Sequence, residues 1–149
     1  MAAETPTVHA SAVLAGARAV LIRGPAGAGK SQLALALIHC AETGLLRFAR
    51  LVGDDRVHLE PHHGRLLARP AAALAGLLEV RGLGIRRLAY EPMALVGLVV
   101  DLAAEDAARL PAAGETEIAG VSLPRLAVAA ATDPLPAVLA ALRSPTERD

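Results

Sequence analysis

The sequence is poor in cysteine, aromatic residues and net charge, and each shortage excludes a class of protein. The 149 residues include one cysteine, Cys40, so an internal disulfide and hence a disulfide-rich secreted scaffold are excluded. Tryptophan is absent, and Phe48 and Tyr90 are too few aromatic residues for a surface that stacks nucleic-acid bases. Fifteen basic and fifteen acidic side chains cancel, so no basic excess indicates nucleic-acid binding.

The 149 residues also lack long hydrophobic runs and the sequence pattern of a leader. No basic segment precedes an apolar stretch at the N-terminus, so we expect no signal peptide. The most apolar stretch, Met93 to Val100, is followed by Asp101 and is far shorter than a membrane span. Apolar residues make up 54% of the chain, which is enough for a stable core in one domain. We therefore expect a single cytoplasmic domain, residues 1–149, without membrane or nucleic-acid partners.

Hydrophobic periodicity predicts an α/β fold, with a helix that begins near Lys30 and ends near Gly44. A second helix is predicted at 134–143. Residues 70–78 favour a short helix, with a strand as the alternative, and residues 104–110 favour one or two helical turns. Residues 79–85 are predicted to be a glycine-broken loop. The predicted strands are 8–14, 18–23, 48–52, 57–60, 65–69, 115–118, 121–128 and a central, most apolar strand at 94–102.

A glycine-rich segment after the second predicted strand matches the phosphate-binding pattern G-x-x-x-x-G-K-[ST] in full. Its residues are Gly24, Pro25, Ala26, Gly27, Ala28, Gly29, Lys30 and Ser31. Backbone N–H groups of such a loop converge on phosphate oxygens, and the following helix adds the positive end of its dipole. Lys30, the only lysine in the chain, would reach the β- and γ-phosphates, and the Ser31 hydroxyl would coordinate Mg²⁺. The pattern predicts a nucleotide-phosphate site.

Further polar residues supply the other groups that phosphoryl transfer needs. Asp54 and Asp55 end the strand after the predicted helix, where one carboxylate could face Mg²⁺ and the other a hydroxyl nucleophile. Glu79 could be a second metal ligand, and Arg81 could stabilise the charge of the transferring phosphoryl group. His9 lies on the first predicted strand, where a structural role is the simpler interpretation. The residue types alone leave the division of roles open.

Taken in order, these residues resemble the catalytic domain of the HPr kinase/phosphorylase family. The resemblance covers roughly residues 8–128 and implies a P-loop fold like that of phosphoenolpyruvate carboxykinase, with a mixed β-sheet flanked by helices. It is carried by His9, the loop from Gly24 to Ser31, the segment LVGDD at 51–55 and the segment EVRGLGI at 79–85.

The resemblance implies a serine kinase that uses ATP and Mg²⁺ to phosphorylate HPr, a phosphocarrier of the sugar phosphotransferase system. Ser31 and Glu79 match the metal ligands, and the aspartate pair matches the general base, for which we favour Asp55 with Asp54 assisting. Longer family members suggest a homo-oligomer, a hexamer. The residues that match catalytic positions are His9, Lys30, Asp54, Asp55, Arg81 and, from a later segment, Arg109.

Two departures from the family pattern limit what is carried over. We expect the short form found in alphaproteobacteria, because the 149 residues contain no counterpart of the N-terminal regulatory domain of larger members. The segment tied to dephosphorylation has no counterpart after Val128, so the resemblance supports the kinase activity more strongly than the reverse phosphorylase activity. The alternatives are a small-molecule kinase, for which Arg86-Arg87 would be the nearest lid residues, and a nucleotide-binding sensor without catalysis.

Overall fold

A computed structural model describes residues 6–107 and 114–144 and contains ten strands and two α-helices in that part of the chain. A short 3₁₀ turn covers Ala72–Leu74. The helices are α1 (Lys30–Glu42) and α2 (Leu135–Arg143). The strands are β1 (Thr7–Ala15), β2 (Arg18–Arg23), β3 (Ala49–Gly53), β4 (Arg56–His62), β5 (Arg65–Pro70), β6 (Leu77–Val80), β7 (Gly84–Arg87), β8 (Ala94–Asp101), β9 (Glu115–Ile118) and β10 (Val121–Ala127).

Eight strands form one mixed sheet in the order β2-β1-β4-β5-β8-β10-β9, with β3 paired to β1. Strand β8 runs parallel to both β2 and β10, and the other pairs are antiparallel. Because parallel strands end at the same edge of a sheet, the carboxyl ends of β2, β8 and β10 lie together. The glycine-rich segment leaves β2 at this edge.

The predicted central strand is confirmed as β8. Its side chains Val96, Val99 and Val100 are buried, and it lies between β2 and β10 in the sheet. Both faces of this part of the sheet are covered, which explains why the strand is apolar along most of its length instead of alternating.

Two apolar cores lie on opposite faces of the sheet, because successive residues of a strand point to opposite sides. On one face, Leu33 and Leu37 of α1 pack with Val20 and Ile22 of β2. The other face buries Leu21 of the same strand with a second cluster that includes Ala10, Ala12, Val52, Val57, Leu66 and Ala68. This packing holds the start of α1 above the carboxyl edge of the sheet.

The predicted helix at 70–78 and loop at 79–85 are wrong. The chain instead forms the 3₁₀ turn and then a hairpin of β6 and β7, with Glu79 opposite Ile85. Gly76, with φ of 76°, breaks the alanine-leucine run, and Leu78 is fully buried in the core against α1. A tertiary contact therefore overrides the helix propensity of alanine and leucine, and the strand alternative holds for residues 77–80.

The structure also bears on two smaller predictions. The described part of the predicted helical turns, residues 104–107, forms a turn without a helix, and the remaining residues of that prediction lie outside the described residues. None of the helices in residues 6–107 and 114–144 has both the length and the hydropathy to cross a membrane.

Candidate active site

The glycine-rich loop connects β2 directly to α1 and bends where glycine permits positive φ. Gly27 and Gly29 have φ of 82° and 101°, in the left-handed region that side chains with a Cβ avoid. The backbone N–H of Ala28 donates to the Pro25 carbonyl over 3.1 Å, which closes a tight turn. Helix α1 begins at Lys30, so its N-terminal N–H groups face the loop. The predicted strand–loop–helix element is present.

The side chain of Lys30 is buried and folds back across the loop that precedes it. Its Nζ donates to the carbonyl oxygens of Gly24 over 2.8 Å and Pro25 over 3.2 Å. The ammonium group thus lies at the loop, where it contacts carbonyl oxygens and, within residues 6–107 and 114–144, no carboxylate. A phosphate oxygen is a stronger partner for an ammonium group than a neutral carbonyl.

Asp54 is 4% exposed, and its carboxylate accepts hydrogen bonds from three elements of the site. Its Oδ1 accepts from the Ser11 hydroxyl over 2.6 Å and from the Ser31 hydroxyl over 2.7 Å. Its Oδ2 accepts from the same Ser31 hydroxyl over 2.9 Å and from the backbone N–H of Glu79 over 3.3 Å. One carboxylate therefore joins β1, α1 and β6 at the end of β3.

Asp55 points the other way from its neighbour. Its φ of 68° is in the left-handed region, and its side chain is 60% exposed. The Nδ1 of His9 lies 3.6 Å from its Oδ1. A non-glycine residue in this region costs energy that the surrounding contacts must offset, and such residues cluster at functional sites. The left-handed turn is what separates the two carboxylates, one buried and one open to solvent.

A cavity of about 200 Å³ brings together most of the predicted residues. Asp54 lies beneath it, and Arg109 lies outside the described residues. Sequence reasoning missed Gln32, which lines the cavity, and Ser11, the buried hydroxyl on Asp54. The signal for Ser11 was a hydroxyl residue within the otherwise apolar residues 10–15 of β1. The lining residues are His9, Ala26, Gly27, Gly29, Lys30, Ser31, Gln32, Asp55, Glu79 and Arg81.

A second, larger cavity of about 830 Å³ lies on the other side of the same loop. Ala26, Gly27, Gly29 and Gln32 line both cavities, so the two spaces adjoin at the loop. Apart from Gln32, Thr132 and Asp133, its side chains are small or apolar, and no sequence motif pointed to it. The remaining wall is formed by Leu33, Ala36, Leu102, Ala103 and residues 128–135.

Asp101, at the end of β8, anchors the strand that leads into the loop. Arg23 donates to both of its carboxylate oxygens, over 2.7 and 2.8 Å, and Arg125 donates to Oδ2 over 2.5 Å. Arg125 also pairs with Asp106 over 2.8 and 3.0 Å. An acidic residue after an apolar strand could have been taken for the metal-site carboxylate, but Asp101 is held by arginines and Asp54 contacts Ser31 instead.

These ion pairs predict an acid-sensitive contribution to stability. Burial raises the pKa of Asp101, but the hydrogen bonds and charges of Arg23 and Arg125 outweigh burial and hold its pKa below the ordinary value. The carboxylate therefore stabilises the fold above the pKa of the unfolded chain, about 3.9, and loses this contribution as pH falls through its lower folded pKa.

We expect Asp101→Asn to lower the free energy of unfolding at pH 7 by about 2 kcal/mol, because the carboxylate accepts three charged hydrogen bonds and asparagine keeps only one acceptor oxygen. The free energy of unfolding of the variant should fall less steeply than that of the wild type from about pH 5 to about pH 2. Urea unfolding at several pH values measures both effects, with Glu105→Gln as the exposed control. Parallel pH profiles of the variant and the wild type would contradict the assignment.

The residues at the loop fit a Mg²⁺–phosphate group. No three His, Cys, Asp or Glu side chains within residues 6–107 and 114–144 are grouped to hold a metal ion by themselves. Mg²⁺ usually takes one or two carboxylates and completes its shell with water and substrate phosphates. The Ser31 hydroxyl on the buried Asp54 carboxylate, next to a loop of N–H donors, is a donor set of this kind.

The fold and the loop define a mixed α/β protein built around a glycine-rich strand–loop–helix element. The family model described as HPr Serine kinase C-terminal domain matches residues 1–91, more than half of the chain. The chain belongs to this family.

Curated relatives and a solved structure agree with that assignment. The HPr kinase/phosphorylase of Streptococcus thermophilus is 43% identical over 84 residues, 56% of this chain and 25% of the relative. That of Halalkalibacterium halodurans is 36% identical over 108 residues, 67% of this chain and 33% of the relative. The chain thus spans a quarter to a third of the length of these relatives. The solved Hpr(Ser) kinase/phosphatase from Coxiella burnetii has the same fold, with a TM-score of 0.73 at 24% identity, over 92% of this chain and 93% of that chain.

Proposed function

We propose that the protein is an ATP- and Mg²⁺-dependent serine kinase that phosphorylates the phosphocarrier HPr. Family membership supports the reaction class, since the curated relatives are HPr kinase/phosphorylases. The single observation that carries the proposal is the division between the two aspartates. Asp54 is buried on the Ser31 hydroxyl, and Asp55 opens into the same cavity as Lys30. A nucleotide-binding sensor has no use for the second carboxylate.

The phosphates would be bound by the backbone N–H groups of the loop from Gly24 to Ser31. Lys30 would exchange its two carbonyl partners for phosphate oxygens, and Arg81, at the rim of the cavity, would offset the remaining charge. The nucleoside would lie in the larger cavity across the loop, because that space continues from the phosphate cradle. There Thr132 and Asp133 offer oxygen atoms to ribose hydroxyls.

The metal ion would be held by Ser31 and Glu79, with Asp54 as the acceptor that orients the serine hydroxyl. When bound, Mg²⁺ neutralises charge on the phosphate oxygens and orients them for transfer. Asp54 also accepts from the backbone N–H of Glu79, so one buried carboxylate would fix the positions of both Ser31 and Glu79.

Asp55 would act as the general base. Its exposed carboxylate would take the proton from the acceptor serine hydroxyl while the serine oxygen bonds to the γ-phosphorus and the bond from that phosphorus to the β–γ bridging oxygen breaks. The products are phosphoserine and ADP. His9, 3.6 Å from the carboxylate, would orient it. Arg109 stays a predicted further arginine for this step.

Three broader features belong to the same proposal. The fold would be of the P-loop type related to phosphoenolpyruvate carboxykinase, and residues 1–149 would form one catalytic domain. The protein would work as a homo-oligomer. Transfer to HPr would be favoured over the reverse phosphorylase reaction, because the segment after Val128 differs from the family segment tied to dephosphorylation.

Incubation of the protein with Mg-ATP and cognate HPr, followed by intact-mass spectrometry, tests the proposal. We expect HPr to gain about 80 Da, the mass of one phosphoryl group. The gain should disappear when the acceptor serine of HPr is replaced by alanine and when EDTA removes Mg²⁺. ATP binding without any gain in the mass of HPr would overturn the proposal in favour of a sensor.

A further inference from the structure

The hairpin of β6 and β7 exposes apolar side chains beside the candidate active site. Leu83 and Ile85 are 64% and 68% exposed, the highest values among the large apolar residues that the structure describes. The base of the hairpin is firmly anchored, since Leu78 is fully buried and the Leu88 N–H donates to the Gly76 carbonyl over 2.7 Å. The two exposed residues therefore belong to a fixed element. Their contact with water is unfavourable in free energy, and a bound partner that covered them would remove this unfavourable contact.

The strand register places Ile85 beside the cavity. Glu79 is directly opposite Ile85, and Leu77 is directly opposite Arg87. Side chains of directly opposite residues lie on the same face of an antiparallel pair. Glu79 lines the cavity, so Ile85 and Arg87 share the face of the hairpin that borders the site. The turn between the strands adds Leu83.

The hairpin also carries positive charge that its own surroundings do not neutralise. Arg81, Arg86 and Arg87 are exposed, and none of the three pairs with a carboxylate in the described part of the chain. Their charges add to that of the nearby Lys30. A partner at this face should therefore bring carboxylates as well as apolar side chains.

We propose that the face formed by Leu83, Ile85 and Arg87 is the docking surface for the acceptor protein. It would receive the segment next to the phosphorylated serine, with an apolar side chain on Leu83 and Ile85 and a carboxylate near Arg87. This inference rests on the proposed function. The surface extends from Glu79 outward along the whole of β7, which gives it the elongated shape that suits a polypeptide segment.

The place of Ile85 beside the cavity favours the acceptor protein over a second copy of this chain as the bound partner. A copy seated permanently on Ile85 would cover the mouth of the cavity that the acceptor hydroxyl must enter. A transient acceptor, in contrast, has to contact the rim around Asp55, Glu79 and Arg81 in each catalytic cycle. The apolar residues lie next to this rim, since Ile85 is directly opposite Glu79.

Steady-state kinetics with HPr test the inference through the variant Leu83→Ser/Ile85→Ser. We expect its KM for HPr to rise about tenfold, with kcat and the KM for ATP within about twofold of the wild type. Arg87→Glu should raise the KM for HPr as well, and added salt should reduce the difference from the wild type. Leu45→Ser is the matched control, because Leu45 is 44% exposed and lines a separate cavity with Phe48.

The outcomes distinguish a failure of the proposed function from a failure of the docking surface. A wild type that transfers no phosphate to HPr contradicts the proposed function itself. A wild type that is active, with an unchanged KM for HPr in both hairpin variants, overturns the docking surface alone. A lower kcat at unchanged KM, or a smaller assembly of the Leu83→Ser/Ile85→Ser variant in sedimentation, would also overturn it, since the face would then serve catalysis or contact another copy.

Discussion

Asp55→Asn is expected to lower kcat for HPr phosphorylation by about 10²- to 10⁴-fold, the range typical of losing a general base. The substitution removes the group that accepts the serine proton and changes little else. The side chain is 60% exposed, so the free energy of unfolding should stay close to that of the wild type. Asparagine also adopts the left-handed backbone at φ of 68° more readily than alanine does.

The affinity for Mg-ATP should be retained in this variant, because Lys30, Ser31 and Asp54 keep their contacts. Single-turnover phosphorylation of HPr and equilibrium binding of Mg-ATP measure the two quantities separately. Glu42→Gln, an exposed carboxylate at the end of α1, is the control and should leave both unchanged. Full kcat in the folded Asp55→Asn protein would assign the base to another group.

The strand–loop–helix element could be predicted because its signals are local. The loop pattern contains the glycines that allow its bends, and the apolar spacing after Lys30 defines the helix. The central strand β8 could be predicted equally well, since its apolar run reflects burial on both faces. Such features depend on neighbours in the sequence, and a single chain is enough to recognise them.

The roles of the two aspartates could not be separated in the same way. They are neighbours in the sequence, and the difference between them is made by the left-handed φ of Asp55 and by Ser11 and Ser31 on distant elements. The hairpin of β6 and β7 was missed for a similar reason. Its alanine- and leucine-rich approach favours a helix locally, and only the burial of Leu78 against α1 selects the strand.

Asp54→Asn is expected to weaken Mg-ATP binding and the fold together. The buried carboxylate accepts from Ser11, Ser31 and the Glu79 N–H. Asparagine has a single acceptor oxygen, and its NH₂ group would face donors, so buried hydrogen-bonding groups lose their partners. We expect the free energy of unfolding to fall by about 3 kcal/mol. We also expect kcat/KM for Mg-ATP to fall by at least about 10²-fold, because the Ser31 hydroxyl is no longer oriented.

Two further variants separate these effects. Ser11→Ala removes the Asp54 donor that does not belong to the phosphate loop, so it should cost about 1 kcal/mol of stability and leave Mg-ATP affinity unchanged. Ser31→Ala should weaken the Mg²⁺ dependence of ATP binding. It should lower the free energy of unfolding less than Asp54→Asn does. Urea unfolding and Mg²⁺ titration of ATP binding, each at a temperature where all variants are folded, provide the comparison. Wild-type Mg-ATP affinity in folded Asp54→Asn would mean that Asp54 is a structural residue, and Ser31 and Glu79 would then hold the metal ion without its help.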